Sequence, residues 1–364
     1  MTAAPPACRP IASTVPSRVQ SAMPFRDITG HERPIGILQA ALRNQRLAHA
    51  YLFHGDTGIG KHLTATRLVQ TLYCERPPAS GDPDSCGSCR ACQQVAARTH
   101  PDYTVIEPDP ELATPQIKIE QVRDIEQQFV YRPLMGERKV CLIDRADCMT
   151  IGAANALLKT LEEPPGHGLF ILITGRPHAL PITIRSRCQS LRFTAPARTQ
   201  VEAALILTRE IPPADARFLA VLADGRIGEA LAMDLAEARA RQEECLTLVD
   251  PATLTSTPAL LSAAESLAKA DRGAEILAWL ARWIRDLVLV SVGGDQDQLL
   301  HLDRLTALQQ YAGRADVGML LDLLRDIERT EQQATRHLNL HMALETSLLR
   351  LREALGLAPA GAAA

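Results

Sequence analysis

The sequence has 364 residues and carries 42 acidic against 39 basic side chains, a formal net charge of −3. The length allows two or three domains with sizeable cores, whereas the charge argues against a surface that attracts nucleic acid over its whole area. No apolar run approaches the ~20 residues that a membrane helix needs, so we expect no membrane contact.

The two ends of the chain lack the apolar periodicity of a folded segment. Residues 1–22 are rich in Ala, Pro and Ser, and residues 359–364 consist of Pro, Ala and Gly. We expect a disordered extension and a loose tail. Coherent pattern begins at Pro24, and residues 25–47 carry apolar side chains near helical spacing, which predicts a helical entry segment.

A phosphate-binding pattern, G-x-x-x-x-G-K, lies between a predicted strand at 50–53 and a predicted helix at 61–73. The candidate nucleotide ligands are its glycines and its lysine: Gly55, Gly58, Gly60 and Lys61. Magnesium binding by this pattern needs Ser or Thr after the lysine, and this chain has His62 there. The residues alone leave two interpretations open, a site for ATP or ADP and a glycine turn that is only structural.

Residues 75–100, which we predict to be irregular, hold three of four cysteines at a metal-binding spacing. The set is Cys74, Cys86, Cys89 and Cys92. Nine cysteines without a secretory signal indicate a reducing compartment, where clustered cysteines bind metal more often than they form disulfides. Four thiolates suit a closed, structural Zn²⁺ site. The alternatives are disulfides and an iron–sulfur cluster, for which Ala96 stands where the bacterial pattern needs a cysteine.

Strands and helices alternate over the next hundred residues. Strands are predicted at 103–107, 140–143 and 169–174, and helices at 119–130 and 153–163. Continuous apolar strands that alternate with helices indicate a parallel sheet with helices on both faces. After about Pro196 the strands stop, and residues 198–235 and everything beyond them read as helical.

The second requirement of an ATPase is only half met. Asp144 follows the strand at 140–143 and is able to hold Mg²⁺, but the next residue is Arg145, where a carboxylate is needed to orient water. An arginine accepts no proton from water. Thr174, at the end of the following strand, is a candidate contact for a γ-phosphate or an ordinary strand cap. Because His62 and Arg145 both depart from the pattern, we predict that this chain does not hydrolyse ATP.

Arginines dominate the stretch between Gly166 and Gln200, which contains no acid. Its five arginines are Arg176, Arg185, Arg187, Arg192 and Arg198. Such one-sided charge indicates an anionic partner or a solvated basic face. Arg187 lies in Ser186-Arg187-Cys188, just before the last predicted strand, where an arginine is able to reach a phosphate held by another chain.

These segments together resemble the bacterial clamp-loader branch of the AAA+ family. The specific motifs are the run ANALLKTLEEPP at 154–165 and the Ser186–Cys188 triplet, and the cysteine insert after the loop helix fits the same branch. The resemblance implies an AAA+ α/β domain at 23–195 with a zinc insert at 74–92. It also implies a small helical lid at 196–235 and an all-α collar domain at 236–358.

The resemblance also implies a role. Motor subunits of this family carry a hydroxyl after the lysine, an acidic pair after the second strand and an arginine in the lid, where this chain has His62, Arg145 and Gly228. The implied protein is a non-motor subunit of the DNA polymerase III holoenzyme, a DNA-directed DNA polymerase. It would supply Arg187 in trans as an arginine finger.

The implied partners are motor subunits and a delta subunit in a hetero-pentameric ring, and through the ring a sliding clamp and primed-template DNA in the bacterial cytoplasm. The alternative within the family is an active ATPase motor subunit. A zinc-dependent nucleic-acid-binding module is disfavoured by the negative charge and the lack of paired aromatic residues.

Overall fold

The computed structural model describes residues 24–79, 81–109, 115–269, 272–333 and 340–358. The predicted extension at 1–22 and the predicted tail at 359–364 lie outside the described residues. The chain divides into two compact units, of which the first ends at Met233 and the second begins at Asp234. In the described residues, no helix combines the length and the apolar character needed to span a lipid bilayer.

A five-stranded parallel sheet forms the centre of the first unit. Its strands are β1 (Ala50–His54), β2 (Tyr103–Ile106), β3 (Lys139–Ile143), β4 (Gly168–Thr174) and β5 (Gln189–Arg192). The strand order across the sheet is β2-β3-β4-β1-β5, and every neighbouring pair is parallel. The carboxyl ends of all five strands therefore lie along one edge, where ligands of open α/β sheets bind.

Helices cover both faces of this sheet. The first unit contains α1 (Glu32–Arg43), α2 (Lys61–Tyr73), α3 (Arg90–Ala96), α4 (Ile119–Val130), α5 (Ile151–Glu162) and α6 (Ile182–Arg185). Alternate residues of β1 point to opposite faces of the sheet. Tyr51 and Phe53 belong to the same hydrophobic cluster as Leu68 of α2, whereas Leu52 belongs to a second cluster with Ile125 of α4. The predicted parallel sheet with helices on both faces is confirmed.

The prediction that residues 75–100 are irregular is wrong at Arg90–Ala96, which form α3. Seven residues are too few to show a helical repeat in sequence. The helix begins where the Cys89 sulfur accepts a hydrogen bond from the Cys92 N–H, and Val95 is buried against the main core. The cysteine insert is thus packed on the sheet rather than held away from it.

Three further helices complete the first unit: α7 (Arg198–Arg209), α8 (Pro213–Ala223) and α9 (Ile227–Ala232). Val201 and Leu205 of α7 are fully buried, and Arg209 donates a hydrogen bond to the carbonyl of Met233, 2.7 Å away. These helices occupy the stretch for which the lid is predicted, and the bounds of that lid stay a prediction.

In its described residues, the second unit contains helices and no strand. Its α-helices are α10 (Leu235–Leu248), α11 (Pro251–Thr255), α12 (Thr257–Lys269), α13 (Gly273–Ser291), α14 (Leu305–Ala312), α15 (Val317–Gln333) and α16 (Leu340–Ala354). Trp279 and Trp283 of α13 stack with ring centroids 5.5 Å apart. The carboxylate of Asp286, fully buried, accepts hydrogen bonds from the backbone and ring of His301. This pair fixes the chain after α13 to the core.

Candidate functional site

The phosphate-binding pattern forms a glycine-dependent turn between β1 and α2. Gly55, Gly58 and Gly60 all have positive φ, of 145°, 83° and 108°. A Cβ at position 55 would lie 2.2 Å from the carbonyl oxygen of Phe193, which no side chain tolerates. The turn is held from outside by His31, whose Nε2 lies 2.6 Å from the Ile59 carbonyl oxygen. The glycines and the His31 contact therefore fix the shape of the loop.

Lys61 is turned toward this loop. Its ammonium donates to the carbonyl of Gly55 at 2.6 Å and to the carbonyl of Asp56. Burial lowers the pKa of Lys61 to about 8, although Asp144, Asp56 and Asp147 favour its charged form. A phosphate at the loop would have to compete with these two carbonyls for the ammonium.

His62 replaces the metal-binding hydroxyl and contacts the acid that would share the metal. Its Nδ1 lies 2.9 Å from Oδ2 of Asp144. Burial acts to raise the pKa of Asp144, but hydrogen bonds from His62 and from the Arg145 N–H, with the charge of Lys61, hold that pKa below its usual value. The imidazole thus bonds the acid that the sequence pattern assigns to Mg²⁺.

The residue after Asp144 supplies no base. Arg145 has a left-handed backbone, with φ 51° and ψ 48°, and starts a short 3-10 helix, Ala146–Cys148. The next acid, Asp147, accepts hydrogen bonds from Thr174 at 2.8 Å and from the Arg176 guanidinium. Thr174 is buried, and its hydroxyl also accepts the Arg176 N–H. The Thr174 hydroxyl, the predicted contact for a γ-phosphate, is thus already hydrogen-bonded to groups of its own chain.

An arginine that the sequence did not single out lies beside the loop. A Cβ at position 58 would lie 3.2 Å from Cγ of Arg226, which precedes α9. The guanidinium is turned to Glu229, 2.9 Å away, and to the Ala223 carbonyl at 3.0 Å. The stem of Arg226 thus covers the loop two residues before Gly228, the position at which the sequence resemblance implies an arginine in motor subunits.

The four predicted cysteine ligands come together. The sulfurs of Cys74, Cys86, Cys89 and Cys92 all lie within 4.8 Å of one another. Bonds of about 2.3 Å to a tetrahedral Zn²⁺ place sulfurs about 3.8 Å apart, so this spacing fits one ion. Three of the sulfurs accept backbone N–H groups, from Cys86, Cys89 and Cys92, at 3.3–3.5 Å.

Hydrogen bonds favour the thiolate form at one of the four cysteines, Cys86, whereas burial raises the pKa of the Cys74 and Cys92 thiols. Burial acts to raise the pKa of the Cys86 thiol, but N–H groups of Ser88 and Cys89, the Ser88 hydroxyl and Cys74 lower it to about 6. None of the four cysteines forms a disulfide, and the insert has the donor set of a structural metal site. Four-sulfur coordination leaves no position for substrate.

Arg187 lies between α6 and β5, in the short segment that joins them. Its side chain is 35% exposed. One guanidinium nitrogen donates to the Thr183 carbonyl at 2.9 Å, and the other lies 2.8 Å from the carboxylate of Glu162, the last residue of α5. Two groups of its own chain therefore hold this cation at the surface.

The charge of the acid-free stretch is less one-sided in the structure than in the sequence, because several of its arginines pair with acids. Arg176 pairs with Asp147 and Arg198 with Glu202, both from outside the stretch. Because Arg187 also pairs with Glu162, three of the five arginines form an ion pair with an acid of the same chain. The predicted anionic partner thus has narrower support in the structure than in the sequence, and Arg187 is the member whose acid is itself exposed.

Two family models match this chain. The model described as DNA polymerase III, delta subunit, matches residues 30–197. A second model, described as the C-terminal part of the delta subunit of DNA polymerase III, matches residues 236–353. Together they cover well over half of the chain, including the loop, the cysteine insert and Arg187.

The sequences of curated relatives support the same family. The delta' subunit of DNA polymerase III from Escherichia coli is 31% identical over 319 residues, 86% of this chain and 92% of that protein. The delta' subunit from Pseudomonas aeruginosa is 49% identical over 141 residues, 39% of this chain and 42% of that protein. The tau subunit from Escherichia coli is 33% identical over 319 residues, but this spans only 47% of its length. The chain belongs to the DNA polymerase III delta-subunit family and is a homologue of the delta' subunits of the clamp loader.

Proposed function

We propose that the chain is the non-motor, delta'-type subunit of a clamp loader, and that it supplies Arg187 to ATP held by a neighbouring motor subunit. The chain aligns with nearly the whole of a delta' subunit and with less than half of a tau subunit. The geometry of its own loop supports the same choice over an active motor.

The observation that carries this proposal is the contact between His62 and Asp144. Their 2.9 Å hydrogen bond takes the acid that a Mg²⁺ ion would share with a hydroxyl. Arg145 then stands where a carboxylate would orient the attacking water. Phosphoryl transfer by such loops depends on positioning by the metal and on an oriented nucleophile. With both missing, ATP or ADP bound through Lys61 would stay unhydrolysed.

Arg187 has the properties that catalysis in trans requires. Charge that develops on a transferred phosphoryl group is stabilised by a planar guanidinium, an effect worth about 10³–10⁵ in rate. The guanidinium has five N–H donors, so it is able to keep the Thr183 carbonyl while it meets a phosphate oxygen. Exchange of the exposed Glu162 carboxylate for that oxygen would complete the approach.

The partners follow from this role. They are the motor subunits and the delta subunit of a five-membered ring, and the sliding clamp and primed DNA that the ring brings together. Zn²⁺ at the four cysteines would have a structural role, since the insert packs on the same core as the loop helix. Metal analysis of the dialysed chain should then give about one zinc per molecule.

ATP hydrolysis by the purified full chain tests the proposal. We expect no turnover above background, with or without primed DNA, because the water-orienting acid and the metal hydroxyl are absent. The same preparation should restore DNA-stimulated ATP hydrolysis when it is mixed with motor and delta subunits. Robust turnover by the chain alone would instead establish the motor alternative.

A further inference from the structure

Three metal-binding side chains from three different elements converge beside the loop. His62 lies in the first turn of α2, Glu107 follows β2, and Asp144 follows β3. β2 and β3 are adjacent and parallel, with Ile106 opposite Ile143, so their carboxyl ends bring the two acids together. The ligand atoms of all three side chains lie within 4.8 Å of one another.

The spacing of the first two ligands suits a shared ion. Nδ1 of His62 and Oδ2 of Asp144 are 2.9 Å apart. Two ligands with bonds of about 2.1 Å to one metal ion lie about 3.0 Å apart at an angle of about 90° and about 3.4 Å apart in a tetrahedral site, so a small adjustment at most is needed. The other oxygen of Asp144 accepts the Arg145 N–H at 2.8 Å, which fixes the carboxylate with Oδ2 toward His62.

The third ligand is accessible and adjustable. Glu107 is 44% exposed on its side chain and pairs with Arg98 at 2.8 Å. A carboxylate has two oxygens with about four lone-pair positions, so Glu107 is able to contact a metal while it keeps Arg98. Lys61 and the positive end of the α2 dipole both repel a cation here. An ion must therefore form strong bonds with its ligands to bind at this position.

The donor set decides the class of ion. Imidazole suits zinc and the neighbouring transition metals, whereas Mg²⁺ prefers oxygen ligands and keeps several waters. One imidazole with two carboxylates is also distinct from the four-sulfur set of the insert.

We propose that His62, Asp144 and Glu107 bind a divalent transition-metal ion of the zinc class, without nucleotide and separately from the cysteines. The site includes the acid that active relatives would use for Mg²⁺, but the imidazole changes which metal it selects. It is a property of the isolated chain, so it stands or falls independently of the proposed role in the clamp loader.

The test is a titration with Co²⁺ of the full chain that carries one equivalent of zinc, dialysed so that only the cysteines hold it; the visible spectrum of Co²⁺ separates nitrogen and oxygen ligands from thiolates. We expect one further equivalent to bind, with weak bands and without the intense thiolate charge-transfer absorption. Mg²⁺ in excess should leave this binding unchanged. Loss of a group that only supports a ligand costs about 10–100-fold in metal affinity, so His62→Ala should weaken Co²⁺ binding at least that much.

Two further variants keep the result decisive. Glu107→Gln, at an exposed position, should also weaken Co²⁺ binding with the fold unchanged in far-ultraviolet circular dichroism. His178→Ala removes an exposed histidine near the same edge and should leave the titration as in the original chain. No second equivalent, or a second equivalent that survives His62→Ala, would show that His62 and Asp144 form only a hydrogen bond.

Discussion

The nucleotide loop and the segment around Arg187 belong to the same α/β unit, yet they hold their cations in opposite ways. Lys61 is 5% exposed and donates to carbonyls of its own loop, and the neighbouring His62 is bonded to Asp144. Arg187 is 35% exposed and is held by one carbonyl and one exposed acid.

This difference separates two uses of positive charge. A cation whose donors are satisfied inside the fold is part of the structure, and a ligand must break those bonds to use it. A cation held at the surface by an exposed acid exchanges partners at small cost, because such ion pairs contribute about 0–1 kcal/mol. Under the proposed function, the chain therefore supplies a catalytic cation from Arg187, whereas Lys61 has a structural role in the loop.

The largest expected effect is that of Arg187→Ala in the reconstituted complex. ATP hydrolysis at the site that Arg187 serves should fall by about 10³–10⁵, the rate that a guanidinium in this position supplies. Single-turnover hydrolysis by the assembled complex resolves this site from the others. Gel filtration should show that the ring still assembles.

Arg192→Ala is the matched control, because Arg192 is an exposed arginine of the same acid-free stretch. It should leave hydrolysis unchanged. Arg187→Lys keeps the charge without the planar fork and should recover only part of the rate. If Arg187→Ala and Arg192→Ala behaved alike, the contrast between the two regions would fail.

Much of the framework was predictable from the sequence. The helices at Lys61–Tyr73 and Ile119–Val130 have the predicted bounds, because each carries an apolar stripe long enough to show a helical period. The four cysteines were recognisable by spacing alone, since metal ligands in a short insert are close in sequence.

The contacts that decide the chemistry were not predictable. His62 and Asp144 are 82 residues apart, and no local pattern joins them. Arg226, which covers Gly58, lies just before α9 and far along the chain. Glu162 lies inside the recognised motif, but its contact with Arg187 depends on where α5 ends. Sequence patterns report the period of an element, whereas these contacts depend on how elements pack.

The second prediction compares two carboxylates with pKa values below the usual range, one structural and one in the loop region. Asp102, 2% exposed, accepts the N–H groups of Leu134, Met135 and Gly136 at 2.7, 2.7 and 2.9 Å. Asp102→Asn should lower the free energy of unfolding by about 2–4 kcal/mol, because buried N–H groups lose a charged acceptor. Asp144→Asn should cost less than about 1 kcal/mol, because asparagine keeps an oxygen for the Arg145 N–H and the contact with His62 is partly exposed. Urea denaturation measures both.

The pH dependence of Asp102 follows in sign. Burial acts to raise its pKa, but the three N–H groups hold the pKa below its ordinary value. The stabilisation is therefore complete at neutral pH and is lost as the pH falls below about 4, through the folded-state pKa. The stability gap between the original chain and Asp102→Asn should narrow over that range. If Asp144→Asn lowered the free energy of unfolding as much as Asp102→Asn, the contacts of Asp144 would contribute as much to stability as those of Asp102.

The smallest expected effect is that of Lys61→Met. Methionine keeps the length of the buried stem, and it removes an ammonium whose pKa burial has already lowered to about 8. Because no hydrolysis is expected at this loop, the ATP turnover of the assembled complex should stay within about twofold of the original. The same steady-state assay, run on the complex with Arg187→Ala beside it, measures the change. A loss comparable to that of the arginine variant would mean that the loop binds a nucleotide on which the neighbouring active site depends, and that its inward-facing lysine turns outward in the ring.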